Sequence, residues 1–136
     1  SVGTHIYVVD TMGELGLFYA ALPLACIGRS FSDDGGGGHN PLEAALLHCA
    51  VLHGPHIQNL KDIYSPMDAC GAAQLIEKSD DLAHAIKNLL TEQETLKTLQ
   101  EKGYAYARSQ TDVLNKVIEE LEPLFLLANL PLLKGL

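Results

Sequence analysis

The chain has 136 residues, of which 47% are hydrophobic. It carries nine lysines and arginines and 17 aspartates and glutamates, which gives a formal net charge of −8. This length allows one domain with a buried core. The scarcity of basic residues argues against a surface that binds nucleic acid or other polyanions, whereas a local anion site built from backbone N–H groups is compatible with it.

Short apolar runs alternate with helical patterns over the first half of the chain. The run HIYVVD at residues 5–10 predicts a strand, and the apolar spacing from Leu15 to Leu22 predicts a helix after it. Three more strands are predicted by LACIG (24–28), AVLHG (50–54) and AAQLI (72–76). This alternation predicts an α/β fold with about four short parallel strands covered by helices.

The second half is predicted to be mainly helical. Pro66 is expected to break or start a helix, and Ser79 or Asp80 to cap the helix over residues 82–90. From Glu92 onward the apolar spacing predicts a helical segment, divided at Gly103 or at residues 109–111. The almost uncharged tail after Pro123 predicts docking against another domain or protomer.

The most informative stretch is GGGGHNPLE at residues 35–43. Glycine backbone can approach a phosphate closely, and the first N–H groups of the following helix are free to bind it. Asn40 is predicted as the N-cap and Pro41 as the first helical residue. Glu43 would either close a capping box or accept hydrogen bonds from a ribose diol. A flexible loop with an ordinary cap fits equally well, and neither a Walker A loop nor a dinucleotide-binding fingerprint is indicated.

Three predicted loops should meet at the carboxyl edge of the sheet: DTMGE (10–14), GGGGHN (35–40) and HGPHIQN (53–59). His39 and His56 could serve there as hydrogen-bond donors or be solvated loop residues. His48, His53 and His56 are close in sequence, but no HExxH motif or matched carboxylate completes a metal site. The three separated cysteines form no CxxC pair and predict free thiols.

Three motifs in order are similar to the 3-deoxy-D-manno-octulosonic acid (Kdo) transferases of Gram-negative lipopolysaccharide synthesis: DTMGELGLFYA (10–20), GGGHNPLEAA (36–45) and AVLHGPHIQNLKDIY (50–64). The similarity runs from about residue 6 to residue 90. It implies an inverting GT-B glycosyltransferase with two Rossmann-like domains. The C-terminal domain would bind CMP-Kdo, and the N-terminal domain the lipid A precursor at the cytoplasmic face of the inner membrane.

The resemblance places this chain in the later part of the C-terminal domain. Residues 1–91 would be the Rossmann-like donor-nucleotide-binding part, and residues 92–136 the C-terminal helices and apolar tail that pack on the same domain. The proposed catalytic carboxylate and a basic phosphate-contacting segment of the family lie upstream. The resemblance therefore assigns no catalytic residue here and implies a soluble polypeptide that does not transfer sugar alone.

The resemblance also implies a donor site without a cofactor or metal. The backbone of residues 37–40 and the helix start would hold the CMP phosphate, Glu43 the ribose hydroxyls, and the loop over residues 11–14 the cytosine. His56 and Asn59 would be pocket residues of secondary importance for donor binding. The full predicted set is Thr11, Met12, Gly13, Glu14, Gly37, Gly38, His39, Asn40, Glu43, His56 and Asn59.

The sequence departs from the family pattern at two places. His48, Cys49 and Ala50 stand where the family often shows GxP, which predicts a different helix-to-strand turn. Arg29 replaces a common glycine and would either place a cation near the donor phosphate or face solvent. Without upstream strands, the first predicted strand should pair again within the fragment or with another chain, so we expect a rearranged sheet edge or a homodimer.

Two alternative functions differ in their expected ligands. A fragment of a GT-B sugar-nucleotide epimerase would prefer UMP or UDP. A non-catalytic α/β interaction module that uses its apolar tail would show no nucleotide-induced change at Gly38, Asn40 or Glu43.

Overall fold

The computed structural model describes residues 6, 8–10, 13–35 and 37–127, and the side chains at 114, 115, 118, 119 and 122–127 are not described. The helices are α1 (Leu15–Ala21), α2 (Leu42–Leu46), α3 (Lys61–Cys70), α4 (Leu82–Thr91) and α5 (Gln93–Leu127). The strands are β1 (Leu24–Ile27), β2 (Ala50–His53) and β3 (Gln74–Leu75). Short 3-10 turns span Gly28–Phe31, Gln58–Leu60 and Ser79–Asp81.

The three strands form one parallel sheet in the order β1-β2-β3. Leu24 pairs with Ala50 and Ile27 with His53, so the carboxyl ends of β1 and β2 lie level. All four residues of the central strand β2 are buried. A strand covered on both faces has no polar side to alternate with, which is why three consecutive apolar residues, 50–52, precede the buried His53. The predicted parallel α/β class is confirmed.

The prediction of about four strands exceeds the number that the described residues form, which is three. Of the predicted first strand, His5 and Tyr7 lie outside the described residues, while Ile6 and residues 8–10 are not in a strand. Ile6 and Val8 are each 81% exposed. A β-branched run favours extended backbone, but a strand forms only where a neighbouring backbone pairs with it.

Helices cover both faces of the sheet. On one face Val51 packs in a cluster with α2, α3 and α5, which includes Ala44, Tyr64, Met67 and Ala107. On the other face the neighbouring residues of β2 pack against α4 and α5, in a cluster that comprises Ala50, Leu52, Ile76, Leu89, Leu96 and Leu99. Successive side chains of a strand point to opposite faces, so one short strand serves both clusters.

The expected division of the C-terminal helix was wrong: α5 is continuous over 35 residues, a length of about 50 Å at 1.5 Å per residue. Gly103 is buried, and a Cβ at this position would lie 3.1 Å from Ala72 O, so the glycine allows close packing. Ser109 and Thr111 donate hydrogen bonds to carbonyls of the preceding turn, which is compatible with a helical backbone.

Pro66 also behaves differently from the prediction, since it lies inside α3 and neither starts nor ends it. Proline has no N–H to donate to the preceding turn, so α3 loses one helical hydrogen bond. The helix also carries Tyr64 and Met67, both fully buried, on its inner side. Burial of these two side chains stabilises the helix by more than the lost hydrogen bond costs. Gly71, with φ +72°, then ends it.

The helix over residues 82–91 begins where it was predicted, but without the predicted side-chain cap. The 3-10 turn Ser79–Asp81 leads into α4, and no side chain caps its first turn. Leu89 is buried, whereas Leu90, which the helical spacing predicts on the same apolar face, is 46% exposed. The remaining contacts come from Leu82, Ala85 and Ile86, which pack against the core at helical spacing.

Within the described part of the chain, every helix falls short of the length or the apolar character needed to cross a membrane. The tail that is predicted to dock lies outside the described part of the structure, which includes neither the side chains of residues 122–127 nor residues 128–136.

The turn between α2 and β2 contains the only described non-glycine residue with positive φ, His48 at +57°. The imidazole stacks on Tyr104 of α5, with ring centroids 4.0 Å apart and an interplanar angle of 17°. The helical pattern PLEAALLHC at residues 41–49 therefore forms a helix only as far as Leu46, because the chain must reverse at His48 before β2 begins at Ala50. A distinct turn was expected at this departure from the family pattern.

We expect His48→Ala to lower the free energy of unfolding by about 1 kcal/mol, because alanine keeps the backbone strain and loses the aromatic stack. His48→Gly should stay within about 0.5 kcal/mol of the wild type, since relief of strain offsets the lost stack. Urea unfolding of both variants measures the difference. Equal losses in the two variants would contradict the assigned strain.

Candidate functional site

The loops that follow β1 and β2 meet at the carboxyl edge of the sheet, and Ser30 joins them. This serine is fully buried in the 3-10 turn after β1. Its Oγ accepts a hydrogen bond from Gly54 N at 2.7 Å and donates one to Ile27 O. Its carbonyl oxygen accepts a hydrogen bond from His56 N at 2.9 Å. A polar residue without a catalytic motif thus holds the two loops together.

Gly54 is required by this close approach. A Cβ at position 54 would lie 2.4 Å from Ser30 O and 2.8 Å from Phe31 Cγ. Both distances are shorter than a Cβ contact can be, and the nearer atom belongs to backbone that is itself hydrogen bonded. The glycine of the HGPH motif therefore serves loop packing.

The glycine segment is held by side chains from the third loop and from α3. Gly37 and Gly38 are buried, and Gly37 has φ +65°. Asn59 Nδ2 donates to Gly38 O at 2.9 Å, and Tyr64 OH donates to His39 O at 2.6 Å. These two hydrogen bonds give the segment a defined backbone shape, so within its described residues it is not simply a flexible loop.

Tyr64 was not predicted to take part in this arrangement. Burial raises the pKa of its phenol, and Tyr19, Asp68 and Cys26 add to the effect, so the hydroxyl stays a neutral donor. An aromatic residue on the inner side of a helix is usually read as core, which Tyr64 also is. Only its contact with a carbonyl 25 residues earlier reveals the second role.

The start of α2 confirms the predicted role of Asn40. Its Oδ1 accepts a hydrogen bond from Leu42 N at 2.9 Å. The helix runs from Leu42, one residue later than predicted, and Pro41 before it already has helical backbone angles, φ −83° and ψ −13°. Glu43 lies in the first turn with an exposed side chain. Since α2 has only five residues, its helix dipole is a weaker source of anion binding than the sequence suggested.

A cavity of about 470 Å³ opens between α1, the end of β1 and the start of α2. Its polar rim carries His39, Asn40 and Glu43, and the remaining lining residues are Leu15, Tyr19, Cys26, Ile27 and Gly28. Burial raises the pKa of Tyr19, with Glu43 and then Cys49 adding to it. The apolar wall with a few polar groups at one side is typical of a small-molecule site, and its volume lies in the usual range.

The structure brings some of the predicted site residues together and separates others. His39, Asn40 and Glu43 line the cavity, whereas Gly37, Gly38 and Asn59 lie in the hydrogen-bonded segment beside it. Gly13 and Glu14 are exposed before α1 and do not line the cavity. Thr11 and Met12 lie outside the described residues. His56 is half-buried, with Nδ1 3.7 Å from Asp33 Oδ1.

The three histidines that are close in sequence separate in space. His48 stacks on Tyr104, and His56 lies beside Asp33. His53 is fully buried, a position that the sequence did not reveal. Across the described ranges, no three His, Cys, Asp or Glu residues come together as ligands for a metal ion.

Arg29, the other departure from the family pattern, lies on the surface. Its Nη2 is 3.9 Å from Asp34 Oδ2, and both side chains are about half exposed. Such an exposed pair contributes little to stability because water screens it. Arg29 does not line the cavity.

Comparison with known proteins yields consistent relatives, although no family model matches the sequence. The chain is 32% identical over 120 residues to the 3-deoxy-D-manno-octulosonic acid transferase of Rickettsia typhi. This alignment covers 87% of this chain and 25% of that protein. It is 39% identical over 99 residues to a probable mitochondrial transferase of the same name from Arabidopsis thaliana, covering 71% of this chain and 22% of that protein. The chain thus spans about a quarter of the length of these curated relatives.

A solved structure supports the same relationship. The C-terminal CMP-Kdo binding domain of WaaA from Acinetobacter baumannii superimposes with a TM-score of 0.71 at 28% sequence identity. The match covers 76% of this chain and 53% of that domain. The chain therefore belongs to the 3-deoxy-D-manno-octulosonic acid transferase family and corresponds to part of the C-terminal domain.

Proposed function

We propose that the cavity beside α2 binds the nucleotide of CMP-Kdo, the donor substrate of a Kdo transferase. The observation that carries this proposal is the cavity itself, which places His39, Asn40 and Glu43 around a volume of about 470 Å³. The similarity to a CMP-Kdo binding domain supports the choice of ligand. The negative charge of the whole chain does not oppose it, because the anion would be bound by backbone groups.

In this proposal the backbone of residues 37–40 binds the CMP phosphate. The hydrogen bonds from Asn59 and Tyr64 use carbonyl oxygens of this segment and leave its N–H groups free of those two contacts. Leu42 N is already bonded to Asn40, so the loop contributes more than the short helix does. Preorganised N–H donors would also stabilise the charge that develops on the phosphate when CMP leaves.

Glu43 is proposed to bind the ribose hydroxyls. Its carboxylate lies at the cavity rim and is exposed, so it can accept two hydrogen bonds from a diol without first losing a buried partner. The cytosine would lie toward the loop over residues 11–14, with His56 and Asn59 at the margin of the site. This arrangement requires no metal or cofactor.

The transfer reaction is proposed for the whole protein. Its N-terminal domain would supply the lipid A precursor and the catalytic carboxylate, and this chain alone would not transfer sugar. We propose residues 1–91 as the donor-binding part and residues 92–136 as helices that pack on it, supported by the burial of Leu96, Leu99 and Ala107 on α5. A homodimer through the open side of β1 is a further proposal, supported by the pairing of β1 with β2 alone among the described strands.

We expect CMP to bind more tightly than 2′-deoxy-CMP, because Glu43 would bond both ribose hydroxyls. Glu43→Gln should weaken CMP binding by about tenfold and remove most of the preference, since a charge-assisted hydrogen bond is worth about 1.5–3 kcal/mol. NMR titration of the amides of Gly38, Asn40 and Glu43 measures both effects.

Glu101→Gln is the matched control, because this exposed glutamate on α5 forms only a 3.9 Å ion pair with Lys97. It should leave both affinities unchanged. A wild type that shows no CMP-induced shifts at those amides would contradict nucleotide binding. Tighter binding of UMP than of CMP would point to a sugar-nucleotide epimerase.

A further inference from the structure

A hydrogen-bonded pair of His53 and Asp68 lies next to the proposed donor site. The side chain of His53 is fully buried at the end of β2, with Nδ1 2.8 Å from Gly54 O and Nε2 2.9 Å from Asp68 Oδ1. A carbonyl oxygen can only accept, so Nδ1 must carry a proton. Asp68 is 29% exposed. A carboxylate oxygen can only accept, so the 2.9 Å contact with ionised Asp68 requires a proton on Nε2 as well, and a ring that makes both hydrogen bonds is an imidazolium.

This imidazolium is adjacent to both loops of the site. Through Gly54 O it holds the residue whose N–H donates to Ser30 Oγ, and therefore the junction between the loops that follow β1 and β2. Its ring also packs against Tyr64, with centroids 4.4 Å apart, and the Tyr64 hydroxyl holds His39 O. One buried cation thus supports the backbone on either side of the proposed phosphate position.

We infer that His53 is a positioning residue, whose charge-assisted hydrogen bonds to Gly54 O and Asp68 keep the loop over residues 54–56 in the geometry that binds the donor. This inference rests on the proposed function. Hydrogen bonds with an ionised partner are about twice as strong as neutral ones, so loss of the charge loosens the loop even when the contacts survive. His53 does not line the cavity and is not a catalytic residue.

Asp68→Asn tests the role of the charge. The asparagine Nδ2 can donate to Nε2 while Nδ1–H still bonds Gly54 O, so every contact persists with a neutral ring. Ring ¹⁵N NMR at neutral pH should show two protonated nitrogens in the wild type and an unprotonated Nε2 in the variant. One unprotonated ring nitrogen in the wild type would overturn the inference.

The effect on the loop is measured by hydrogen exchange at the amides of Gly54 and His56. We expect exchange in Asp68→Asn to be about tenfold faster at these amides and unchanged at Leu52 in the centre of β2, since only a local opening is eased. CMP affinity should fall about three- to tenfold. Glu101→Gln again serves as control and should change none of these quantities.

Uniformly faster exchange at all three amides would show a general loss of stability and overturn the positioning role. Unchanged exchange at Gly54 and His56 would overturn it too. If the wild type binds no CMP, the proposed function fails separately, because the ring protonation and the exchange pattern still decide whether His53 holds the loop.

Discussion

Gly54→Ala should lower the free energy of unfolding by about 2–4 kcal/mol. This is the largest loss of stability that we expect from any glycine-to-alanine substitution in this chain. The added Cβ would meet Ser30 O at 2.4 Å and Phe31 Cγ at 2.8 Å. Ser30 cannot withdraw freely, because its hydroxyl bonds Gly54 N and its carbonyl oxygen bonds His56 N. Relief of the clash therefore separates two loops and breaks their hydrogen bonds. Thermal or urea unfolding measures the loss.

Gly28→Ala provides the control for this prediction. Gly28 lies in the same connection, but a Cβ there would have no atom within 4 Å and its φ is not positive. We expect a change in the free energy of unfolding of no more than about 0.5 kcal/mol. Similar losses in the two variants would mean that the close approach of Gly54 to Ser30 is not what stabilises this edge of the sheet.

Gly37→Ala should reduce CMP affinity by at least about tenfold while the protein stays folded. The Cβ would lie 1.8 Å from Asn59 Oδ1, so the asparagine must leave and its hydrogen bond to Gly38 O is lost. Alanine at φ +65° adds about 1 kcal/mol of backbone strain. Together these changes release the segment proposed to bind phosphate. Isothermal calorimetry with CMP and a urea unfolding curve separate affinity from stability.

Gly35→Ala is a matched control, because Gly35 also has positive φ, at +75°, but a Cβ there meets no atom within 4 Å. It carries the same kind of strain without displacing Asn59, so we expect it to retain most of the CMP affinity. Asn59→Ala should reproduce most of the loss seen with Gly37→Ala. Combining the two should add little, since both remove the same hydrogen bond. A fully additive double variant would contradict this coupling.

Much of the fold could be predicted because its signals are local. The runs LACI and AVLH predict buried strands from a few neighbouring residues, and β1 and β2 occupy those positions. Asn40 was predicted as a cap from its place before Pro41, and its side chain accepts a hydrogen bond from Leu42 N. Such interactions span two to four residues, so residue type and spacing are sufficient to predict them.

Other predictions failed where distant residues outweigh local preference. Gly103 and Pro66 normally weaken helices, yet both lie inside them, because α5 packs on Ala72 and α3 buries Tyr64 and Met67. The run at residues 5–10 has high β propensity, yet its described residues form no strand. Local preferences are worth about 1 kcal/mol or less per residue for most types, and tertiary packing exceeds them.

The sequence by itself determined the α/β class, the two longer strands and the glycine segment as the place to look for a ligand. Only the tertiary structure decided how that segment is held: by Asn59 and Tyr64, which are 21 and 25 residues from their partners, and by a junction between Ser30 and Gly54, 24 residues apart. It also placed His53 in the interior, bonded to Asp68. Hydrogen bonds across such separations depend on where the sheet and helices bring the chain together, and no local pattern encodes that position.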